Sequence, residues 1–510
     1  MRHTNRTVHY GLLLALTAAL GGCKTTQAPP PEIALPSAYT KSGKQMADED
    51  IVYKTWWSSF KDPQLDGLMK QGLQENLTLR QAVARLEAAH YGVIAAGAGG
   101  RPSVTTQGDL FGRIDKVGNS YRKGGRGSGN LEFSWDLDLF GQHRQAKEGA
   151  RQRYLAAAAN VRAVRLAFQA DLVSSYIDYQ YFQRSLQIMR SNLDSYNQTF
   201  TLTSDMRDEG IATNLDVAQA KALVDSARAE LPAMEKGLQQ AANHIATLLG
   251  LSATEFSSRK PKSRRQPQPG SLKGIGVPAD LLRYRPDIRR EEFLLASAAS
   301  EVGVAEAQLY PALSLIGTID VARLISAGAT ASVATWSFGP SIIATILDGG
   351  RLRANVDIAK ADSRAQYLAW RQTVLTAVEE VENALISVNR DEQEMKAYRQ
   401  MAASYEETRA LALESFKGGT GIILDVLAAE RSLGQARLAL AESQRNLAKG
   451  YVSLQVAIGA GSAVTERLPI NDSLKQQKIR PVPVPVLSGS GSAPVTHKAT
   501  GAPLRLNRAS

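Results

Sequence analysis

The residues that could carry catalytic chemistry are few in this sequence and lie far apart. Its 6 histidines are isolated from one another, and the 510 residues contain no HExxH or GxSxG motif. The glycine cluster Gly124–Gly127 lacks the Gly-Lys-Ser/Thr ending and the following helix of a phosphate-binding loop. The sequence therefore predicts a protein that is not an enzyme and that uses no cofactor and no metal.

The single cysteine, Cys23, is placed for covalent modification. Two arginines near the start precede an apolar run over Gly11–Leu20, which is typical of a signal peptide and too short to span a bilayer. Leu20-Gly21-Gly22-Cys23 resembles the bacterial lipobox. This resemblance implies that a signal peptide, residues 1–22, is removed and that Cys23 is lipidated, and Lys24 after it implies an outer-membrane destination.

A strand with unlike faces precedes the longest helical pattern in the chain. From Leu131 to Leu139 odd positions are apolar and even positions are polar or acidic, which predicts a strand over Asn130–Phe140. The acidic positions are Glu132, Asp136 and Asp138. We expect a partner strand over Ser103–Ile114, with the glycine-rich stretch Gly118–Gly129 as an exposed hairpin loop between the two strands.

A long helical hairpin follows this strand. Gln142–Met206 contains no proline and repeats apolar residues at steps of three and four, which predicts one helix roughly 98 Å long at 1.5 Å per residue. A second helix is predicted to begin after Thr213-Asn214 and to reach Leu249, with a bend at Pro232. The turn between the two helices lies far from the strands.

The whole unit occurs twice. Pro102, Gly141, Gly210 and Gly250 recur as Pro311, Gly350, Gly419 and Gly459, each 209 residues later. One constant shift that keeps glycine and proline in register indicates duplication of a structural unit. The second copy predicts strands over Ala312–Ala322 and about Ala334–Leu347, a long helix over Arg351–Lys417 and a last helix that ends near Gly459.

The duplication and the composition divide the chain into six parts. The formal charge is +11, and most of the excess lies in residues 1–22, 259–265 and 466–510, so the sequence does not favour a nucleic-acid partner. The predicted parts are a signal peptide at 1–22, a lipidated tether at 23–52, repeat 1 at 53–256 with its strand hairpin at about 103–140, a basic linker at 257–276, repeat 2 at 277–460 with its strand hairpin at about 312–347, and a disordered tail at 461–510.

Four strands with one apolar face cannot form a closed membrane-spanning barrel alone. Open strand edges are not tolerated in lipid, and about eight strands are needed before a barrel closes around side chains. No stretch of the sequence is apolar enough for a transmembrane helix. Several copies must therefore join, and three would give twelve strands, although the arithmetic also allows two or four.

Several motifs resemble those of the TolC-like outer-membrane efflux factors, in their lipoprotein (NodT-type) branch. They are Trp56-Trp57, Asp62-Pro63, Trp135-Asp136-Leu137-Asp138-Leu139-Phe140-Gly141, Arg285-Pro286-Asp287-Ile288, Asp348-Gly349-Gly350-Arg351 and Leu424-Asp425-Val426-Leu427. The resemblance implies a mainly α protein with a small β part and two tandem repeats. It implies a homotrimer in which a 12-stranded β-barrel in the outer membrane continues as a long α-helical coiled-coil barrel in the periplasm.

The resemblance also implies a function and partners. Its members form passive ducts that dock a periplasmic adaptor (membrane fusion protein) and an inner-membrane transporter, here of the RND type, so we expect efflux of small molecules across periplasm and outer membrane. A duct for type I protein secretion shares the same architecture and stays open as an alternative. A lipid-anchored periplasmic coiled-coil scaffold without a channel is the alternative from another class.

The candidate site residues lie at the two ends of this architecture. At the helical tip, Asp216 and Asp425 occupy matching positions and would form rings of carboxylates in a symmetric assembly, or would only stabilise helix N-termini. Phe416, Gly421 and Ala428 stand where the family pattern has gating residues, so Leu424 is an alternative gate contact. Gly210, Gly419, Asp208 and Lys417 are the candidate adaptor contacts. Phe133, Trp135 and Leu137 are predicted to face lipid or the membrane interface, opposite the acidic residues.

Overall fold

The described part of the chain folds into long helices and one small sheet. The computed structural model describes residues 55–257, 266–269, 285–326 and 329–462. The predicted signal peptide, Cys23 and its tether, most of the basic linker and nearly all of the predicted tail lie outside the described residues. No helix in these ranges combines the length and the apolar character needed to cross a membrane.

The described elements follow one another in the order that the duplication predicts. After a short 3-10 helix at Trp56–Phe60 they are α1 (Pro63–Glu75), α2 (Leu77–Ala98), β1 (Ser103–Val117), β2 (Ser120–Asp136), α3 (Gln142–Asp208), α4 (Asn214–Leu248), α5 (Ala253–Ser257), α6 (Pro286–Ala307), β3 (Ala312–Ser326), β4 (Ala329–Ile343), α7 (Arg351–Lys417) and α8 (Ile423–Ala457).

The two repeats match in element length as well as in order. The long helices α3 and α7 have 67 residues each, and α4 and α8 have 35 each. The shorter helices α2 and α6 both have 22 residues, and β1 and β3 both have 15. Every one of these pairs begins 209 residues apart, so the predicted tandem repeat is confirmed.

The apolar pattern from Gln64 to about Gly97 would suit one continuous helix, but the structure has two. This segment is broken into α1 and α2 at Asn76, whose backbone is extended with φ −60° and ψ 122°. The Asn76 Oδ1 accepts from the backbone N–H of Leu79 at 2.9 Å, and its Nδ2 donates to the carbonyl of Leu248 at 2.8 Å. An asparagine that caps a new helix and ties it to α4 outweighs the uninterrupted apolar pattern.

The sheet is antiparallel, with the strand order β1-β2-β3-β4. The predicted loop over Gly118–Gly129 is wrong, because β2 already begins at Ser120 and only Gly118 and Asn119 form the turn. The glycines lie in the ladder: Gly129 pairs with Gly108, and Gly125 pairs with Gly112. The second strand of each hairpin also ends earlier than predicted, at Asp136 and Ile343.

Asp138 belongs to the joint between sheet and helix. The prediction that it lies with Glu132 and Asp136 on the acidic face of a strand is wrong, because β2 has ended. Its carboxylate accepts from the backbone N–H groups of His143 and Arg144, both at 2.9 Å, and so caps the start of α3. Asp348 does the same for α7, accepting from Gly350 and Leu352. The long helices therefore leave the sheet at fixed joints.

The largest core lies where the short N-terminal helices meet the long ones. It joins the 3-10 helix, α1, α3, α4, α7 and α8 through Trp56, Leu65, Tyr176, Ile245, Val381 and Leu454, each at most 1 % exposed. The Tyr176 hydroxyl donates to Asp62 at 2.6 Å, while the other oxygen of Asp62 caps α1. Burial, together with this carboxylate, raises the pKa of Tyr176 well above its ordinary value.

Candidate functional site: the sheet faces and the helical tip

The register of the sheet separates its side chains by chemistry. Residues directly opposite each other share a face, and Val104, Phe133, Gly317 and Phe338 form one such row across all four strands. The same face carries most of the large apolar side chains: Leu110, Ile114, Leu131, Trp135, Leu315, Ile319, Val321, Trp336 and Ile342. The opposite face is mostly polar, with Ser103, Thr105, Gln107, Asp109, Glu132, Ser134, Asp136, Ser314, Thr318, Asp320, Thr335, Ser337 and Ser341.

Two of the three predicted lipid-facing residues lie on the apolar face. Phe133 lies beside Phe338 with ring centroids 6.0 Å apart, across the side-chain-free Gly317. Trp135 lies near the end of β2 and donates its indole N–H to the carbonyl of Gly100 at 3.3 Å. Leu137 lies just beyond β2, where its backbone N–H donates to Leu313 at 3.0 Å. Trp336, on β4, exposes 82 % of its surface to solvent in one chain.

At the other end of the long helices, two similar turns form the tip. Just after α3, Gly210 has φ +79°, and the N–H of Ile211 donates to the carbonyl of Met206 at 2.8 Å. Just after α7, Gly419 has φ +74°, and the N–H of Thr420 donates to the carbonyl of Ser415 at 3.0 Å. These are Schellman-type ends, in which glycine supplies the left-handed backbone. Asp208 forms an ion pair with Arg207, and Lys417 is exposed.

The two matching aspartates at the tip, Asp216 and Asp425, differ in the hydrogen bonds that their carboxylates form. The Asp216 carboxylate accepts from both the backbone N–H and the hydroxyl of Thr213, each at 2.8 Å, in a complete capping box. Helix α8 has Ile422 at the equivalent cap position, and there is no side-chain cap. Asp425 is exposed, and in the described part of the chain its carboxylate has no hydrogen bond or ion pair. In the described part of the chain, Asp425 is therefore the one of the two whose carboxylate oxygens both lack a partner, whereas Asp216 engages Oδ2 with Thr213.

Beneath the turns, an apolar cluster joins both helical hairpins. Phe416 is 7 % exposed and packs with Tyr196, Leu223 and Val426. Gly421 leaves little room for a side chain, because a Cβ there would lie 3.1 Å from the backbone nitrogen of Phe416. Leu424 and Ala428 point away from this cluster and are exposed. Phe416 is thus an apolar contact within one chain, whereas Leu424 is available only to a contact outside it.

Above the tip, Glu430 lies buried between three helices, a feature that the sequence prediction missed. Its Oε1 accepts from Ser195 at 3.1 Å and Thr199 at 3.0 Å on α3, and lies 3.3 Å from the guanidinium of Arg409 on α7. Its Oε2 has no partner. Burial raises the pKa of Glu430, and these donors offset only part of that effect. The sequence does contain a signal for its burial, because Glu430 follows Ile423, Val426 and Leu427 at helical spacing and so lies on the same apolar stripe.

Comparison with known proteins identifies the family. A family model described as "Outer membrane efflux protein" matches residues 68–251 and 277–460. The two matched segments begin 209 residues apart, so each covers one repeat. The chain belongs to this family. It is an outer-membrane protein with a periplasmic extension, as predicted, and the family consists of efflux channels, which are passive ducts and not enzymes.

Individual relatives agree with this assignment. The chain is 43% identical to Nodulation protein T of Rhizobium leguminosarum bv. viciae, over 85% of this chain and 89% of the relative. It is 33% identical to Outer membrane protein OprJ of Pseudomonas aeruginosa, over 88% and 95%. Among solved structures, the outer-membrane channel OprN matches with a TM-score of 0.72 and 30% identity, over 85% of this chain and 99% of that one. The resemblance and the fold class predicted from the sequence are confirmed.

Proposed function

We propose that this efflux-family protein is the outer-membrane duct of a tripartite efflux system and exports small molecules as a passive homotrimer. The observation that carries the proposal is the register of the sheet, which gathers large apolar side chains on one face and polar ones on the other. Such a sheet suits a wall between lipid and water. The 67-residue helices that leave the same sheet would continue the wall into the periplasm.

Closure of the wall requires several copies. The four strands of one chain form an open sheet whose edge strands are β1 and β4. Three copies would close a 12-stranded barrel that removes both edges, as lipid demands. The matching helices of three copies would form the coiled-coil barrel below it. Exposed apolar residues on α7, among them Leu368, Leu375 and Ile386, are available to pack between copies.

Small organic molecules are the favoured cargo. Relatives from Pseudomonas putida carry the names "Antibiotic efflux pump outer membrane protein ArpC", at 30% identity, and "Toluene efflux pump outer membrane protein TtgF", at 29%. Type I protein secretion remains the second use of such a duct. A scaffold without a channel would leave the apolar face of the sheet without a role, because 82 % of Trp336 would stay in water.

Two measurements test the duct. Purified protein in detergent should have the mass of a trimer and should produce stepwise conductance in a planar lipid bilayer. Deletion of the gene should lower tolerance to toluene or antibiotics, and the wild-type gene should restore it. A monomer that conducts nothing would overturn the proposal. Normal tolerance with loss of one secreted protein would favour type I secretion instead.

The membrane anchor is part of the same proposal. We infer that Cys23 becomes the lipidated first residue of the mature chain, because it follows a signal-peptide pattern and small residues. Radiolabelled palmitate should then enter the wild-type protein. The absence of label from wild type, or equal label in Cys23→Ser, would contradict this assignment.

Docking partners are proposed for the tip. The turns around Gly210 and Gly419, flanked by the exposed Asp208 and Lys417, would contact the hairpins of a periplasmic adaptor, which would link the duct to an RND-type inner-membrane transporter. We expect a photo-crosslinker at position 208 or 417 in cells to capture the adaptor. The same crosslinker on the exposed Glu406, higher on α7, serves as the control. Equal capture at all three positions would count against tip docking.

Asp425 is proposed as the ion-selective residue of the periplasmic gate. Three copies would place three unpaired carboxylates near one axis, which favours cations over anions. Asp425→Asn should therefore lower the cation-to-anion permeability ratio of single channels at low salt. Asp216→Asn is the matched control: it removes the same charge from a carboxylate whose Oδ2 is held back by Thr213, and it should change the ratio less if Asp425 is the residue nearer the ion path. Equal effects of the two substitutions would contradict the assignment.

A further inference from the structure

The two edge strands of the sheet carry enough information to fix how neighbouring copies join. Within the described chain β1 and β4 are the outer strands, and each pairs on one side only. The proposed trimer, on which this inference rests, joins β4 of one copy to β1 of the next. The open question is the register of that seam, because a slip changes every pair of side chains across it.

The duplication supplies the register. In the β2–β3 pair, Gly124 lies opposite Ser326 and Asp136 lies opposite Ser314, so paired positions always add up to 450. Strand β4 is the counterpart of β2, and β3 is the counterpart of β1, each 209 residues apart. We propose that β4 of one copy pairs with β1 of the neighbouring copy in the same register. Paired residue numbers would then again add up to 450, so that Phe338 lies opposite Gly112 and Ile342 lies opposite Gly108.

The side chains on the two edges fit this register. On the apolar face of the first hairpin, two cross-strand pairs consist of glycine alone: Gly108 lies beside Gly129, and Gly112 lies beside Gly125, with Leu110 between them on β1. On the other edge Phe338 is 67% exposed and Ile342 is 71% exposed. Glycine in a strand often marks close approach of another group, and large side chains opposite it shield its backbone. At the seam, the large side chains of Phe338 and Ile342 would therefore fill the space above Gly112 and Gly108.

The sheet already contains one example of this arrangement. Gly317 lies between Phe133 and Phe338, and a Cβ at Gly317 would come within 2.9 Å of the Phe338 ring. The Phe133–Gly317 pair between β2 and β3 is the counterpart, by the shift of 209, of the proposed Ile342–Gly108 pair between copies. The seam would repeat this arrangement of a bulky residue opposite a glycine.

Other registers are unfavourable. A slip of one residue would turn Phe338 and Ile342 to the polar face. A slip of two would keep the face but place Phe338 opposite Leu110 or Ile114, which expose 89% and 66% of their surfaces and would crowd the ring. Only the inherited register gives both large residues a glycine partner.

Disulfide trapping tests the register in the full-length protein. Directly opposite residues of an antiparallel pair have Cα atoms about 4.5 to 5.5 Å apart, within the span of a disulfide. Gly112→Cys with Phe338→Cys, and separately Gly108→Cys with Ile342→Cys, should therefore give covalently linked copies after mild oxidation. The control pairs Leu110→Cys with Phe338→Cys and Ile114→Cys with Phe338→Cys test a slip of two, and we expect at least about tenfold less product, because diagonal neighbours lie about 7–8 Å apart.

The outcomes separate this inference from the proposed function. Stronger linkage in a control pair would overturn the register and leave the trimer intact. Trimers that link in none of the pairs would also overturn it, whereas wild-type protein that stays monomeric in detergent would overturn the proposed function itself. Single-cysteine variants report any background from Cys23, the only native cysteine. If one predicted pair prevents assembly, the other decides.

Discussion

Arg285→Met is expected to lower the free energy of unfolding by about 2–3 kcal/mol, the value of hydrogen bonds to charged groups, because Arg285 is buried but the carboxylates that remain, Asp287 and Glu380, are 30% and 48% exposed. The Arg285 guanidinium is 7 % exposed and bonds both carboxylate oxygens of Asp287, at 3.0 and 2.7 Å. It also reaches Glu380 on α7 at 2.6 Å and the carbonyl of Ala457 at the end of α8 at 2.9 Å. Methionine would fill much of the volume but would remove the donor from Glu380 and from the Ala457 carbonyl, and would leave Asp287 with the backbone N–H of Ile288.

The dependence of the free energy of unfolding on acid pH should also change in Arg285→Met. Burial alone would raise the pKa of Asp287, but the hydrogen bonds and charge of Arg285 lower it below its ordinary value of 3.8. A lowered pKa in the folded state adds stability above pH 3.8 that is lost as pH falls through the folded pKa. Arg285→Met should remove that contribution, so its deficit relative to wild type should shrink in acid.

Circular dichroism of the detergent-solubilised protein, recorded during heating at neutral and acid pH, measures both effects. Arg285→Lys is the matched control, since lysine keeps the charge but cannot form the two-pronged bond to Asp287 or reach three acceptors at once. It should fall between wild type and Arg285→Met. Thermal stability unchanged by both substitutions would show that this arginine does not hold α6, α7 and α8 together.

The helices and the duplication could be predicted because their signals are local. Helix α7 begins at Arg351 and ends at Lys417, as predicted, since neither glycine nor proline interrupts it and a glycine lies at each end. Even the difference between the two tip aspartates is local. Thr213 precedes Asp216 by three residues and completes a capping box, whereas Ile422 before Asp425 cannot.

The errors arose where distant residues decide. Glycine favours turns in isolation, but Gly125 and Gly129 lie in β2 because a partner strand is available on each side. Asp138 fits an alternating strand pattern, yet two helix N–H groups capture its carboxylate. Packing across the sequence outweighs local preference in each case.

Glu430 offers the second large effect, because its charge is buried and has one charged partner. Arg409→Met should lower the free energy of unfolding by about 2 kcal/mol, the value of a hydrogen bond to a charged group, since Arg409 is itself 31% exposed. Glu430→Gln should change it by less than about 1 kcal/mol, because glutamine keeps an acceptor for Ser195 and Thr199 and removes the buried charge. The double variant should recover most of the loss of Arg409→Met.

The dependence on pH distinguishes this network from simple packing. Burial raises the pKa of Glu430 above its ordinary value of 4.5, so its contribution to stability is fully present below pH 4.5 and is lost as pH rises through the folded pKa. Wild type should therefore gain stability relative to Glu430→Gln on mild acidification. Arg409→Met removes a charge that favours the carboxylate and should extend the window to higher pH.

The exposed ion pair between Arg437 and Glu406 provides the control for both measurements. It also joins α8 to α7, at 2.9 Å, but Glu406 is 65% exposed. A pair in that environment contributes roughly 0–1 kcal/mol, so Arg437→Met should shift the thermal transition little and its pH dependence even less. If Arg437→Met and Arg409→Met were equally damaging, or if Glu430→Gln kept the acid response of wild type, burial of Glu430 would not be the cause, and the attachment of α3 to the α7–α8 hairpin would have to come from the apolar cluster around Phe416 and Tyr196.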